Sequence, residues 1–347
     1  MSDIEILTKL LTCEMSRHET LKWMWGEALL GHAMSDLDSL MKTEIFTQFL
    51  LRYCEYWSER SVSVDCADRA APGLITYAIY KKTGSKVCEA LTSKVLDYIK
   101  NEPRVIGDAV NHLGNSPASR FYPKSVWVDS LMMFGVFAAI YASENSDAEL
   151  LDYAARQPAF YSSLLQDPCG LWRHSYWVNF KRGHPAGDIF WGRGNGWVLC
   201  SLPMILDCIG EGHPEFEPTK EIFRRTALAI LPCQRKDGSF RTILNKSSYS
   251  ELSATALIAA GFIHGVRKQY LDKDFLDPGL LALKAAMGGV WEKGGKLSMH
   301  GISAPTIPLH ILPALGYRLT PLGKNWSYGI AALAFAVMEK HRIESGI

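Results

Sequence analysis

Apolar residues recur along most of the chain at the three- and four-residue spacing of amphipathic helices. Leu7, Leu10, Leu11 and Met15 form one such stripe, and similar stripes follow throughout. Runs in which β-branched residues alternate with polar ones are scarce, so a large β-sheet is not expected. The pattern therefore predicts an all-α protein.

Six segments of the sequence share one form, in which one or two aromatic or polar residues precede a stretch rich in Ala, Gly, Leu and Met. They begin at Trp23, Asp65, Trp127, Trp191, Tyr249 and Asn325. Their starts lie roughly 40 to 80 residues apart, which is about the length of a helical hairpin with its loop. More polar amphipathic stretches lie between them, such as Ser85 to Lys100 and Pro218 to Leu231.

This alternation predicts an (α/α)6 barrel, in which six inner helices alternate with six outer ones. Small residues suit the inner helices because neighbouring backbones crowd there. The aromatic and polar residues at the six inner helix starts are then expected to converge at one end of the barrel. No low-complexity linker divides the chain, so residues 1–347 are expected to form a single domain.

Composition narrows the class of protein. The chain has 347 residues, is 48% hydrophobic and 21% charged, and carries a formal net charge of +1, which is typical of a soluble globular protein. The chain has no excess of basic residues that would indicate binding to nucleic acid, and no apolar run is long enough to span a membrane. Eight cysteines without metal-ligand spacing and no evident signal peptide favour reduced, mostly buried thiols and a cytoplasmic location. Dinucleotide, nucleotide-phosphate and zinc-protease motifs are missing, and no metal or organic cofactor is expected.

The segment from Phe190 to Trp197 places two indoles, a guanidinium and a carboxamide around three glycines. The side chains concerned are those of Trp191, Arg193, Asn195 and Trp197. Indole faces stack on sugar rings, a guanidinium can bind a carboxylate through two hydrogen bonds, and glycines let the backbone approach a ligand closely. The segment is thus predicted to form the floor of a pocket for an acidic sugar. The alternative is a helix start that carries core tryptophans.

Two carboxylates stand at the starts of predicted inner helices. Asp129 lies between Trp127 and a Met-Met pair, at the start of a helix expected to run to about Ala142. Helix N-terminal amides would lower its pKa, whereas an apolar wall and a second carboxylate would raise it, as a general acid requires. Asp68 is the second carboxylate, and Asp65 is close enough that either one is a candidate to point inward. Helix capping is the alternative role for each of them.

Two histidines and a glutamate complete the candidates. His174 lies in a loop before the glycine-rich segment, and His112 lies in the long loop from Gly107 to Lys124; long loops in compact domains are often functional. Glu251 and Thr255 are one helical turn apart and are expected to share a face. The alternative for each histidine is a polar side chain whose hydrogen bonds are satisfied within the protein. The alternative for Glu251 is an ordinary residue at a helix start.

Three of these motifs, taken together, resemble those of a known enzyme group. The sequence W-V-D-S-L-M-M from Trp127 resembles the W-x-D-x-L-x-M segment of the unsaturated glucuronyl and rhamnogalacturonyl hydrolases, glycoside hydrolase families 88 and 105. The stretch from Trp191 to Trp197 is similar to their W-x-R-G-N-G-W, and E-L-S-A-T-A from Glu251 to their E-x-S-A-T-A. The resemblance favours the rhamnogalacturonyl branch, which acts in pectin degradation.

The resemblance implies an (α/α)6 barrel and an unusual hydrolysis. The substrates are lyase-generated disaccharides whose terminal uronate carries a C4=C5 double bond. An aspartate protonates C4 and activates the water that attacks C5, after which the hemiketal opens and releases the neighbouring sugar. By motif position, Asp129 is implied as the acid and base, Asp68 as the second carboxylate and His174 as a substrate contact. Arg193 and Trp191 are implied to bind or stack on the unsaturated sugar.

Alternatives remain open on the sequence alone. The leaving sugar can instead be that of ulvan or glycosaminoglycan fragments, and the barrel can serve an epimerase, a lyase, a conventional glycosidase or a non-catalytic sugar-binding protein. The expected partner is a small oligosaccharide, without nucleic acid or membrane, and the expected state is a monomer or a weak homodimer.

Overall fold

The computed structural model describes residues 1–347, most of them in helices. In chain order the helices are α1 (Asp3–Met15), α2 (Trp25–Met41), α3 (Thr47–Ser58), α4 (Ala67–Ala70), α5 (Gly73–Thr83), α6 (Lys86–Asn101), α7 (Val136–Asn145), α8 (Ala148–Leu165), α9 (Gly192–Ile209), α10 (Phe216–Ile230), α11 (Leu252–Arg267), α12 (Leu276–Met287), α13 (Pro313–Leu319) and α14 (Ser327–Ser345). None of these helices is both long and apolar enough to cross a membrane.

Six of these helices form a closed inner ring. Around the ring, α2, α5, α7, α9, α11 and α14 each pack against the next, and α14 packs against α2. The outer helices α1, α3, α6, α8, α10 and α12 pack against the ring from outside. The predicted (α/α)6 barrel is therefore confirmed, and each of the six sequence segments lies at or just before the start of an inner helix.

The crowding of the inner helices accounts for their small residues. A Cβ atom placed on Gly261 of α11 would lie 2.3 Å from the carbonyl oxygen of Leu199 on α9. Any larger residue there would push the two helices apart. Within and around the ring, 93 buried apolar residues form one continuous core.

The loops between the helices contain short strands. They are β1 (Arg104–Ile106), β2 (Ala109–Val110), β3 (Ser125–Trp127), β4 (Ser175–Trp177), β5 (Arg182–His184), β6 (Val290–Lys293), β7 (Lys296–Ser303) and β8 (Leu322–Lys324). They pair antiparallel as β1-β2, β3-β4-β5 and β6-β7-β8. The stretch between β7 and β8, residues 304–321, includes α13 and is named the cover segment.

Two local expectations need correction. The helix expected to start at Asp129 starts instead with a π-helical turn, Leu131–Gly135, that runs into α7 and ends at Asn145. Such widened turns are frequent at functional sites. The eight cysteines are all free thiols, but only Cys54, Cys66, Cys88 and Cys200 are buried, so the expectation of mostly buried thiols holds for half of them.

Candidate functional site

A cavity of about 360 Å³ opens at the N-terminal ends of the inner helices. The cover segment contributes Pro305, Thr306 and Ile307 to its wall. Its other lining residues include most of the sequence candidates: Asp68, His112, Trp127, Asp129, Trp191 and Arg193. The inner helix starts therefore do converge at one end of the barrel.

A second cavity, of about 430 Å³, lies at the opposite end of the ring. Its buried carboxylate, Glu339, is 2.6 Å from Arg267 and 2.7 Å from Arg342. Asp207 is likewise held by His264 at 3.0 Å. Carboxylates engaged in this way are poor proton donors, so the first cavity is the candidate active site despite its smaller size.

Strand pairing places Asp129 beside His174. In the β3-β4 pair, Trp127 lies opposite Ser175, and the Val128 amide donates a hydrogen bond to the His174 carbonyl at 3.0 Å. The two side chains that follow then meet, with Asp129 Oδ2 3.5 Å from His174 Nε2. Residues 45 positions apart in sequence are thus held together by backbone hydrogen bonds.

The environment of Asp129 suits a proton donor near neutral pH. Burial raises the pKa of its carboxyl to about 6, the negative charge of Asp68 adds to the increase, and positive charge at His112 and Arg193 opposes it. The residue at the N-cap of the π-helical turn is Ser130, not Asp129, and Asp129 Oδ2 has no hydrogen-bond partner within the protein. The capping alternative for Asp129 therefore finds no support in the geometry.

His112 links the long loop to the second carboxylate. Its Nε2 lies 3.4 Å from Asp68 Oδ1, and its Nδ1 lies 2.9 Å from the Ser130 hydroxyl. The imidazole stacks on Trp127 with ring centroids 4.6 Å apart. The loop therefore does bring His112 to the cavity, and Asp68, not Asp65, faces it.

His174 is completely buried and lies between aromatic rings. It stacks on Trp191 at 4.1 Å, and the ring of Tyr317 from the cover segment lies 6.0 Å from each of them. The Tyr317 hydroxyl is 2.9 Å from His174 Nδ1. His174 therefore reaches the site through Asp129 and does not itself line the cavity.

Arg193 lines the cavity, but its guanidinium is largely occupied by the protein. It donates hydrogen bonds to the carbonyls of Ser303 and Ala304, both at 2.9 Å, and to the Thr306 hydroxyl at 3.0 Å. Its Nε lies 3.6 Å from the fully buried Glu251. The arginine thus holds the cover segment, and the expected two-bond grip on a substrate carboxylate would need these bonds to be exchanged.

Asn195 and Trp197 lie outside the cavity wall. Asn195 accepts a hydrogen bond from the Trp172 amide at 2.8 Å and donates to the carbonyls of Trp172 and Trp191, each at 2.9 Å. It therefore clamps the loop that carries His174. Trp197 is fully buried and packs edge-on against Trp25 at 6.0 Å. This corrects the expected substrate contact of both side chains.

The glycines of this segment also act within the protein. A Cβ atom on Gly194 would lie 2.8 Å from the Trp191 ring. The glycine thus leaves room for that indole against the first turn of α9. The close approach expected between the glycine backbone and a ligand is here made to a side chain of the protein. Glu251 similarly faces Arg193, while Thr255 accepts a hydrogen bond from the Phe240 amide at 2.9 Å and so joins the first turn of α11 to the preceding loop.

Two residues of the site have no distinguishing pattern in the sequence. Tyr317 lies on a short helix in the C-terminal third, 143 residues from the histidine that it contacts. Ser130 is adjacent to Asp129 but looks like an ordinary polar residue at a helix start. Only the three-dimensional structure pairs them with the two histidines. No three His, Cys, Asp or Glu side chains are grouped so that they could hold a metal ion.

Comparison with known proteins places this site in a family. The profile described as Glycosyl Hydrolase Family 88 matches residues 5–344. The chain belongs to glycosyl hydrolase family 88. Among curated relatives of this family member, the unsaturated rhamnogalacturonyl hydrolase YesR of Bacillus subtilis is 24% identical over 92% of this chain and 91% of its own length.

Two further matches bear on the family member. An unsaturated 3S-rhamnoglycuronyl hydrolase of Alteromonas is 30% identical over 56% of this chain and 51% of its own length. A crystal structure of a possible GH105 member from Salmonella enterica serovar Paratyphi A superposes with a TM-score of 0.86, covering 97% of this chain and 94% of that one, at 20% identity. At that identity the structural match supports the fold alone.

Proposed function

We propose that this protein hydrolyses lyase-generated disaccharides, such as unsaturated rhamnogalacturonan disaccharide, and releases the terminal 4,5-unsaturated uronic acid. The observation that carries the proposal is the buried Asp129 carboxyl, with its raised pKa, on the wall of a cavity of about 360 Å³. The family membership and the curated rhamnogalacturonyl relative support the same reaction.

The proposed reaction hydrates an enol ether. The protonated carboxyl of Asp129 gives its proton to C4 as the C4=C5 double bond opens. A water oxygen bonds to C5 and returns a proton to the Asp129 carboxylate, which restores the starting state. The resulting hemiketal opens, the glycosidic bond breaks, and the neighbouring sugar leaves. This differs from displacement at the anomeric carbon by a carboxylate pair.

The other side chains have roles that follow from their contacts. Asp68, 3.4 Å from His112, supplies negative charge that keeps Asp129 protonated. Trp127 and Trp191 provide aromatic walls for the sugar ring. Arg193 supplies buried positive charge near the position of the uronate carboxylate, even though most of its hydrogen bonds go to the cover segment.

The cavity wall favours an uncharged leaving sugar. Its lining includes Met24, Leu113, Pro117 and Ile307, which are apolar. The one further cation, Arg69, is paired with Asp65 at 2.9 Å, which limits its use for a sulfate. A 6-deoxy sugar such as rhamnose matches this wall better than a sulfated sugar from ulvan or a glycosaminoglycan.

Loss of the ultraviolet absorbance of the conjugated enol ether tests the proposal directly. Lyase digests of rhamnogalacturonan, ulvan and chondroitin serve as substrates, and the rhamnogalacturonan digest is expected to be consumed fastest. Asp129→Asn is expected to lower turnover by roughly 10²-fold or more, the usual worth of an acid-base group. The control is Asp36→Asn, a carboxylate of α2 at the opposite end of the ring, which is expected to keep full activity.

Two results would contradict the proposal. A gain of ultraviolet absorbance on intact polysaccharide would indicate a lyase, and tight binding of the unsaturated disaccharide without turnover would indicate a sugar-binding protein. We also propose that the protein is cytoplasmic, that it is a monomer or a weak homodimer, and that it needs no cofactor. The eight free thiols support a reducing compartment.

A further inference from the structure

The hydrogen bond between Tyr317 and His174 joins the cover segment to the residues around Asp129 in the candidate active site. Tyr317 is 1% exposed and His174 is completely buried. The tyrosine hydroxyl lies 2.9 Å from Nδ1, and the other ring nitrogen, Nε2, lies 3.5 Å from Asp129 Oδ2. One imidazole thus bridges a residue from α13 and the proposed proton donor.

The direction of this hydrogen bond follows from what each atom can do. The Tyr317 hydroxyl has no other hydrogen-bond partner in the structure, so its proton would be buried without an acceptor if Nδ1 were the donor. Burial also raises the pKa of Tyr317 well above its ordinary 10, and burial lowers the pKa of His174 well below 6.5. A neutral imidazole carries a single N–H, so Tyr317 donates to Nδ1 and the imidazole proton lies on Nε2.

We propose that Tyr317 is a positioning residue that fixes His174 in the tautomer whose Nε2–H points at Asp129, so that the site is complete only when the cover segment is in place. The inference rests on the proposed function for its kinetic consequences. Residues 304–321 thus do more than form a wall of the cavity, because Tyr317 sets which ring nitrogen of His174 carries the proton.

The tautomer matters at the proton-transfer step. When Asp129 gives its proton to C4, negative charge develops on its carboxylate. A neutral Nε2–H, 3.5 Å from Oδ2 and not hydrogen-bonded to it before the reaction, stabilises that charge as the two atoms close, whereas the opposite tautomer would present a lone pair to it. The wrong histidine tautomer is known to be costly in other enzymes that use a carboxylate-histidine pair.

Other charged groups surround the pair and must be considered in any pH measurement. Positive charge at His112, Arg193 and His184 disfavours protonation of His174. The carboxylate of Asp68 raises the pKa of Asp129. The ring of His174 stacks on Trp191 and meets Trp127 in an edge-to-face contact, and neither indole titrates. Removing one phenol hydroxyl changes none of these charges.

A second tyrosine provides a matched control. Tyr249 donates to the carbonyls of Tyr317 and Thr320, at 3.1 and 2.9 Å, and so also tethers the cover segment. It contacts neither histidine of the site. Tyr249→Phe therefore removes a tether of the same chemistry while leaving the bond to His174 Nδ1 intact.

Kinetics of the two variants test the inference. Tyr317→Phe is expected to lower kcat about 10-fold or more, with KM changed less than about 2-fold, because proton transfer and not binding is affected. Its activity is also expected to persist to higher pH, since an Nε2 lone pair favours protonated Asp129. Tyr249→Phe is expected to stay within about 2-fold of the parent in kcat and to keep its pH profile. Equal losses in both variants, or an unchanged pH profile for Tyr317→Phe, would overturn the proposal.

A spectroscopic measurement separates this inference from the proposed function. In protein labelled with ¹⁵N-histidine, with the resonance assigned by comparison with His174→Gln, the structure predicts an Nε2–H tautomer for His174. Tyr317→Phe is expected to shift the population toward Nδ1–H, and Tyr249→Phe is not. An Nδ1–H signal in the parent protein would refute the inference whatever the substrate is. If no unsaturated disaccharide is consumed, the proposed function fails while this measurement still decides the tautomer.

Discussion

Replacing Asp129 with asparagine is expected to stabilise the folded protein above pH 6 while removing its activity. Folding raises the pKa of this carboxyl from 3.8 to about 6, mainly through burial. The folded state therefore disfavours the ionised form. The penalty is fully present above about pH 6, decreases as the pH falls through that value, and disappears below pH 3.8, where the carboxyl is protonated in both the folded and the unfolded state.

The size of the effect follows from the same two values. Raising a pKa from 3.8 to about 6 corresponds to a penalty of about 3 kcal/mol in the free energy of unfolding at neutral pH. Asparagine keeps the shape of the side chain without the charge. The gain for Asp129→Asn is thus expected to reach up to about 3 kcal/mol near pH 8 and to fall below about 1 kcal/mol near pH 4.

Urea unfolding at these two pH values measures the effect. Asp147→Asn is a control of opposite sign, because the hydrogen bond from Lys100 and the Leu150 amide lower the pKa of Asp147. That variant is expected to lose stability at neutral pH and to lose less in acid. A destabilised Asp129→Asn at pH 8, or a gain that is the same at both pH values, would show that burial of the ionised carboxyl does not cost the folded state free energy.

Three further outcomes are expected. The kcat/KM of the parent should fall as the pH rises through about 6, because Asp129 must be protonated to act. In Asp68→Asn, measured by the same ultraviolet assay, this fall should move to lower pH, because the negative charge that raises the pKa of Asp129 is gone. Asn195→Ala removes three buried hydrogen bonds and is expected to cost about 2 to 4 kcal/mol in urea unfolding; a loss below about 1 kcal/mol would contradict the clamp. Glu251→Gln breaks a fully buried pair with Arg193 and is expected to cost about 3 kcal/mol, part of which should return when both residues are replaced by methionine.

The architecture could be predicted from the sequence because the same pattern of residues recurs six times along the chain. Six aromatic or polar helix starts, each followed by small apolar residues, specify an inner ring without any knowledge of distances. The convergence of Asp68, Trp127, Asp129 and Trp191 at one cavity follows from that ring alone. Local patterning was sufficient there because these four residues lie at or just before the starts of three inner helices, α5, α7 and α9.

The detailed roles could not be predicted, because they depend on what packs against each side chain. Arg193 and Asn195 belong to a motif typical of ligand contact, yet their hydrogen bonds go to Ala304 and Trp172, which are distant in sequence. Tyr317 is the converse case: it stands in a segment with no motif and contacts the central histidine. Spacing along the chain carries no information about such long-range partners.

The contact between α14 and α2 has a consequence for biosynthesis. The sixth wall of the ring is made from residues 327–345, so a growing polypeptide keeps the apolar flanks of α2 and α11 uncovered until these residues have been synthesised. A nascent chain of this design depends on late closure and is exposed to self-association before it. Stop codons between positions 175 and 326 are therefore expected to yield insoluble product, even though Asp68, His112, Asp129 and His174 would already have been made.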